Sequence, residues 1–364
     1  MLIFRDAGIN MVRLRVWVDP PAGFCDTAQT LAMARRAHEA GLAILIDFHY
    51  SDTWADPGQQ TKPAAWASLE FGALVNQVGL YTAAVLDQLV AQGTPPAIVQ
   101  IGNEITAGML WNEGRIDGEN NWPRFGRLLS AGVLAVRQHT PTAKVMLHID
   151  RGGDIEGARW WFDRVVAEEV SFDIVGLSYY PWWHGSFAAM EATVTDMAAR
   201  YGKPVFIVET AYPFTLGWSD QTFNLVGDAS QLLDGYAATP AGQAAYLRDV
   251  SALVANVPGG LGMGVCYWAP EWSAFAGLGS PWENLALFDF DHVATPGLNA
   301  LGGKSRADFN SDGFLDFFDY DDYVNCFETG TCGGGGGGTA DFNGDGFVDF
   351  FDYDDFVEAF ETGC

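Results

Sequence analysis

Seven nearly continuous apolar runs mark the chain up to residue 270: VRLRVW (12–17), AILIDFHY (43–50), AIVQIGNE (97–104), KVMLHID (144–150), DIVGLSYY (173–180), PVFIVET (204–210) and GVCYWAP (264–270). Each is short, rich in β-branched residues and closes on polar or aromatic side chains, the signature of strands buried on both faces. Between them TLAMARRAHEAG, RFGRLLSAGVLAVRQH and QAAYLRDVSALVANV carry apolar residues at helical spacing. The alternation predicts repeated βα units around a parallel sheet.

An open doubly wound sheet would show the same alternation. Ionisable and aromatic residues gather at the C-terminal ends of all seven runs, however, and a closed barrel brings every such end to one mouth. The expected fold class is therefore α/β, a (β/α)8 TIM barrel. Seven runs are one short of eight, and the opening LIFRDAGIN reads as the last turn of a helix feeding the first run. The barrel is thus expected to lack its first strand in this chain, leaving two sheet edges open.

Two carboxyl groups at strand ends carry the chemistry. Glu104 closes QIGNE and Glu209 closes PVFIVE. Cleaving a glycosidic bond with retention needs one carboxyl group to protonate the leaving oxygen and another to attack the anomeric carbon, about 5 to 5.5 Å apart. A barrel mouth can present both.

The motifs GINMVRLRVWVDP, LIDFHYSDTWADPGQQTKPAAW, QIGNEITAGMLW, VGLSYYPWW and VETAYP resemble those of family 53 glycoside hydrolases, retaining endo-β-1,4-galactanases. The resemblance runs from about residue 3 to 300 and implies cleavage within β-1,4-galactan chains of pectic type I arabinogalactan, with no cofactor for bond cleavage. By motif, it gives Glu104 the acid/base role and Glu209 the nucleophile role, and its strand numbering makes strand one the missing piece. Arg13 corresponds to an arginine beside the nucleophile, with Arg15 as its rival by alternation. Asn103 is expected on the sugar 2-hydroxyl. Asp47, His49 and His148 lie at strand ends, where they order the carboxylates or meet sugar hydroxyls, and Tyr180 is placed to steady the nucleophile. The same two glutamates would serve a related β-glycanase acting on mannan, xylan or cellulose, and a catalytically dead carbohydrate-binding barrel is the reading from another class.

Sugar rings pack on indole faces, so a glycanase cleft is commonly aromatic. Trp54, Trp66, Trp111, Trp182, Trp183, Trp268 and Trp272 all follow strand ends. Asp52, Trp54 and Asp56, on the SDTWADP loop, and Trp268 are the expected substrate contacts among these residues.

Composition then divides the chain. Its formal net charge is −27, and residues 305–364 hold 15 acidic groups against one basic group. The expected domains are a hydrolase barrel over 1–304 and a small module over 305–364. Such acidity excludes nucleic acid and anionic membranes as partners. No apolar run is long enough to span a bilayer.

Within the tail DFNSDGFLDFFD and DFNGDGFVDFFD recur with a period of 33. Each places oxygen ligands at positions 1, 3, 5, 9 and 12 around a Gly at 6, the spacing of a calcium loop with Asp in place of the usual final Glu. Asp308, Asn310, Asp312, Asp316 and Asp319 with the Phe314 carbonyl are expected to hold one structural Ca²⁺, and Asp341, Asn343, Asp345, Asp349 and Asp352 with the Phe347 carbonyl the other. The paired loop–helix repeat resembles dockerin-type modules, which implies a cohesin-like or cell-surface docking partner. A glycine run over 333–338 and the flanking cysteines depart from that pattern.

Three of the five cysteines (Cys326, Cys332, Cys364) fall in this module, where a cross-link would help a small core and an oxidising compartment would permit it. Cys266 reads as a buried free thiol. A secreted, extracellular or cell-surface location is expected, although no secretory signal opens the chain.

Overall fold

The computed structural model describes residues 1–21, 23–275, 279–303, 305, 307–310, 315, 317–332, 339–343 and 346–362. The contacts gather the chain into two compact units. One comprises Met1–Arg5, Asn10–Thr210 and Val250–Trp268, the other Asp6–Ile9, Ala211–Asp249 and Ala269–Cys364.

The first unit is built on seven parallel strands: β1 (Met11–Val16), β2 (Ala43–Phe48), β3 (Ile98–Ile101), β4 (Lys144–Ile149), β5 (Ile174–Ser178), β6 (Val205–Thr210) and β7 (Gly262–Tyr267). They pair in chain order with β1 and β7 at the edges, as the apolar runs predict. Along the chain the helices α1 (Thr27–Glu39), α2 (Phe71–Ala91), α3 (Trp122–His139), α4 (Ile155–Ala167), α5 (Phe187–Tyr201) and α6 (Pro240–Ala255) separate them, the part of α6 up to Asp249 being counted with the second unit. Of these, α1, α3 and α6 follow the predicted periodicity, while α2, α4 and α5 were not singled out by it. The Asp26 and Asp154 side chains accept the amide N–H of Gln29 and Gly157 to start α1 and α4, satisfying donors the first helical turn leaves open.

The sheet is curled. Leu45, Ile98, Met146, Ile174, Phe206 and Val208 form one buried cluster, with Met11 and Cys266 packed against it. These residues come from all seven strands. Six strand spacings of about 4.8 Å would spread a flat sheet over about 29 Å, so a single cluster demands that the strands bend round a common axis. Cys266 is not disulfide-bonded, as expected, but only half-buried, because it sits on edge strand β7.

In the second unit Tyr212 stacks on Tyr246 with ring centroids 4.4 Å apart. Buried amides tie its loops together: Gln243 Nε2 donates to the carbonyls of Tyr212 and Ala286, and Asn284 Nδ2 to those of Thr215 and Val226. The acidic tail has its own small core. Ala307, Phe309 and Tyr323 of the first repeat meet Ala340, Phe342 and Phe356 of the second, the same positions 33 residues on. Tyr323 and Phe356 stack at 3.9 Å from the helices α7 (Phe317–Thr329) and α8 (Phe350–Thr362). Cys326 and Cys332 are disulfide-bonded; Cys364 lies outside the described residues.

Candidate active site

The sharp turn after β3 sets the first carboxyl group. Gly102 has φ +82°, and a Cβ there would stand 2.5 Å from the Ile105 side chain, so only glycine fits. Glu104 itself is left-handed, with φ 44° and ψ 50°, a conformation costing about 1–3 kcal/mol that functional sites tolerate. Glu209 extends from β6, 5% exposed.

A continuous set of contacts joins the two. Arg13, on β1, donates from Nη1 to Glu209 Oε1 (2.7 Å), from Nη2 to Asn103 Oδ1 (2.6 Å) and from Nε to Gln100 Oε1 (3.0 Å). Its Nη2 also stands 2.8 Å from Asp47 Oδ2. Asp47 in turn meets His49 Nε2 at 3.0 Å, and His49 Nδ1 accepts from Trp17 Nε1 and from the Ala55 amide, both at 3.2 Å. Tyr180 OH donates to Glu209 Oε2 at 3.1 Å. On the other side His148 Nδ1 lies 3.0 Å from Asn103 Oδ1, His148 Nε2 lies 2.8 Å from Ser178 Oγ, and Ser178 Oγ donates to Glu104 Oε1 at 2.7 Å.

Burial and charge separate the pair. Burial, reinforced by the charge of Glu209, holds the Glu104 carboxyl well above the usual carboxylate range, against the Ser178 hydrogen bond and Arg13. Burial also raises Glu209, but the charge and hydrogen bond of Arg13 and the hydroxyl of Tyr180 oppose it. Two interacting carboxyl groups of unequal environment share their protons unequally, and here Glu104 is the better proton holder. Burial lowers His148 far below its ordinary value, keeping the imidazole neutral. It raises the Tyr180 phenol well above its own, with Glu209 adding to the effect. Arg13 is pulled down by burial but raised overall by Asp47 and Glu209, so it stays charged.

Of the residues singled out in the sequence, Arg13, Asp47, His49, Asn103, Glu104, His148, Tyr180 and Glu209 are therefore brought together. Arg13 rather than Arg15 faces Glu209. The Arg15 guanidinium instead lies 4.1 Å from the centre of the Trp54 ring and 5.5 Å from that of Trp268, and these two indoles pack edge-to-face at 5.7 Å. Asp56 is engaged in its own loop, whereas Asp52 ties that loop to the chain after β1 and to the turn at Ala64. Asp52 accepts from the amides of Asp19 and Ala64, and Asp56 from those of Gly58 and Gln59. Trp66 is 4% exposed and packs on Tyr81 and Tyr50, which places it in the core; Trp183 is 57% exposed.

Gln100 and Ser178 were missed. Both are polar residues inside otherwise apolar strand runs, and both are buried. That placement was the available signal, since a polar side chain within a doubly covered strand needs a hydrogen-bonding partner in the interior.

In the tail, Asp319 Oδ1 accepts from the Asn310 amide (3.1 Å) and Asp352 Oδ1 from the Asn343 amide (3.0 Å). Asp352 Oδ2 takes the Asp349 amide, and Asp341 Oδ2 the Gly346 amide. Asp308 is buried and Phe347 exposed. Asp312, Phe314, Asp316 and Asp345 lie outside the described residues. Among the described residues no group of three His, Cys, Asp or Glu side chains converges on a metal position, and no helix is long and apolar enough to cross a membrane.

Comparison with known proteins agrees with this geometry. The chain is 47% identical over 302 residues to an uncharacterized protein in bgaB 5'region of Niallia circulans, covering 80% of this chain and 82% of that one. It is 36% identical over 302 residues to the arabinogalactan endo-beta-1,4-galactanase of Thermothelomyces thermophilus, covering 81% and 87%. Among solved structures it is similar to the Ignisphaera aggregans GH53 catalytic domain, with a TM-score of 0.78 at 36% identity and coverage of 83% and 87%. The model of Glycosyl hydrolase family 53 matches residues 1–301, and with two carboxyl groups at the ends of β3 and β6 of a curled parallel sheet, this chain belongs to that family.

Proposed function

We propose that the protein is an arabinogalactan endo-β-1,4-galactanase working by double displacement. The observation that carries the reading is the unbroken path from Glu209 through Arg13, Gln100, His148 and Ser178 to Glu104. In the first step a Glu209 oxygen attacks the anomeric carbon as the glycosidic C–O bond breaks, and the Glu104 proton passes to the leaving oxygen. In the second, water attacks the same carbon, gives its proton to Glu104 and releases Glu209. Arg13 and Tyr180 keep Glu209 ionised for attack. Trp54 and Trp268 are read as sugar platforms, with Asp47, His49, Asn103 and His148 ordering the groups that meet substrate. Asp52 and Asp56 fit better as supports of the loop bearing Trp54.

Reducing-end release from galactan, tested beside xylan, mannan and cellulose, decides the substrate. Release from galactan with a β-anomeric first product is expected. Preference for another polymer would overturn the substrate, and an α first product the double displacement. We read the curled sheet as a (β/α)8 barrel in which the strand position between β7 and β1 is not filled by described residues.

The tail, taken over 305–364, is read as a dockerin-like module that holds two calcium ions and tethers the hydrolase outside the cell. Asp319 and Asp352 are fully buried carboxylates at equivalent places in two oxygen-rich loops, and buried anions favour a bound cation. The other ligands that the repeat's spacing assigns among the described residues are Asp308, Asn310, Asp341, Asn343, Asp349 and the Phe347 carbonyl. A calorimetric titration finding no calcium uptake would defeat this reading.

A further inference from the structure

We infer that Ser178 and His148 are positioning residues that confine the transferable proton of Glu104 to one carboxyl oxygen, Oε2. The inference rests on the acid/base reading of Glu104 and follows from counting protons. Ser178 Oγ stands 2.7 Å from Glu104 Oε1 and 2.8 Å from His148 Nε2. A hydroxyl has one proton to give, and here it goes to Glu104 Oε1, so the hydroxyl oxygen must accept from His148 Nε2–H. The neutral ring is then bare at Nδ1, where it accepts from Gln100 Nε2 at 3.2 Å and from the Glu104 amide at 3.4 Å; Asn103 Oδ1, 3.0 Å from the same nitrogen, takes its protons from Arg13 Nη2 and Gln100 Nε2 instead.

Gln100 cannot turn over freely. Its Oε1 accepts from Arg13 Nε and its Nε2 donates to the Gly102 carbonyl at 2.9 Å. Arg13, held by Asp47 and Glu209, thereby fixes the Gln100 amide, the amide fixes the His148 tautomer, and the tautomer fixes the Ser178 hydroxyl. Oε1 of Glu104 is a hydrogen-bond acceptor at every stage of the cycle, which leaves Oε2 to give up the proton to the leaving sugar and to take one back from water. No tautomer change is needed between the two steps. The charged or titratable groups acting on Glu104 from the surrounding elements are Glu209 on β6, Arg13 on β1 and Asp150 after β4; Ser178, on β5, is an uncharged donor that opposes the burial of the carboxylate.

Two measurements on the full chain test this without substrate. Nitrogen NMR of the imidazole is expected to show His148 as the Nε2–H tautomer, and the Nδ1–H tautomer would overturn the proposal by reversing the relay. Carbon NMR of the glutamate carboxyls, with the Glu104 signal assigned by its loss in Glu104→Gln, is expected to titrate at higher pH in Ser178→Ala than in the unsubstituted chain. His148→Gln, which keeps an N–H for Ser178, is expected to stay nearer the unsubstituted midpoint than His148→Leu. An unmoved midpoint in Ser178→Ala, or no difference between the two His148 variants, would sink the proposal. On galactan, Ser178→Ala is expected to lose about tenfold in kcat with KM little changed, part of the 10²–10⁴ that general acid–base catalysis supplies. An unsubstituted chain inactive on galactan but showing the tautomer and the titration shift would refute the substrate and leave the relay standing.

Discussion

Arg13 and Glu209, 196 residues apart in the chain, meet at 2.7 Å with side chains only 5% and 6% exposed. The pair is sealed from water, so its strength depends on every remaining donor and acceptor being used. Arg13 uses its fork on Glu209, Asn103, Gln100 and Asp47. Replacing it with Met leaves two buried carboxylates without their cation, and a loss of about 3–5 kcal/mol in urea unfolding is expected. Arg13→Lys keeps the charge without the fork and should retain more stability than Met while losing turnover.

Glu209→Ala should abolish turnover, by at least about 10⁴-fold, while galactan affinity survives, since the aromatic contacts are untouched. Binding of galactan by affinity electrophoresis alongside reducing-end assays separates the two. Residual turnover near that of the unsubstituted enzyme would remove Glu209 from the chemistry.

Glu104→Ala should depend on the leaving group. With galactan, where the departing sugar needs a proton, a loss of about 10²–10⁴-fold is expected. With an activated aryl galactoside the first step needs no acid, so a burst of phenolate followed by slow release should appear. Equal losses on both substrates would contradict the acid/base role.

The pH profile of kcat/KM follows from the directions of the two shifts. Activity needs Glu209 ionised and Glu104 protonated. It therefore rises with pH as Glu209 loses its proton and falls as Glu104 loses its own, and because burial and Glu209 hold Glu104 well above the usual carboxylate range, the falling limb should lie well above the ordinary glutamate value of about 4.3. The two limbs belong to the interacting pair rather than to either residue alone. Disappearance of the upper limb in Glu104→Gln would tie it to that residue.

Trp66→Ala should cost about 3–5 kcal/mol, as removal of a large core side chain does. Trp183→Ala, at an exposed site, should stay within about 0.5 kcal/mol. Thermal unfolding of both variants checks the contrast, and a destabilised Trp183 variant would mean that its ring packs more than its exposure indicates.

Removing calcium with a chelator should unfold α7 and α8, read by loss of helical circular dichroism, and leave galactan hydrolysis largely intact. Simultaneous loss of activity would contradict an independent module.

Much of this was legible in the sequence. The seven apolar runs predict the seven strands because a doubly covered strand must be apolar almost throughout, and the polar residues that close those runs mark the mouth. Helices α2, α4 and α5 were less visible. In α2, FGALVNQVGLYTAAVLDQLVA is apolar on more than one face, so its period is blurred; α4 sets three consecutive aromatic residues, Trp160, Trp161 and Phe162, between charged ones. The family motifs placed Glu104 and Glu209, and alternation along VRLRVW left Arg13 and Arg15 as rivals.

By itself the sequence determined the seven strands, the two carboxyl groups at their ends and the 33-residue repeat of the tail, because each is written in local periodicity or spacing. Only the tertiary structure decided which arginine meets Glu209, that Asp56 holds its own loop while Asp52 ties that loop to the chain after β1, and that Gln100 and Ser178 complete the path to Glu104. Those choices depend on how far the sheet curls and on the register between strands, which bring together side chains tens of residues apart in the chain. No local pattern encodes that distance.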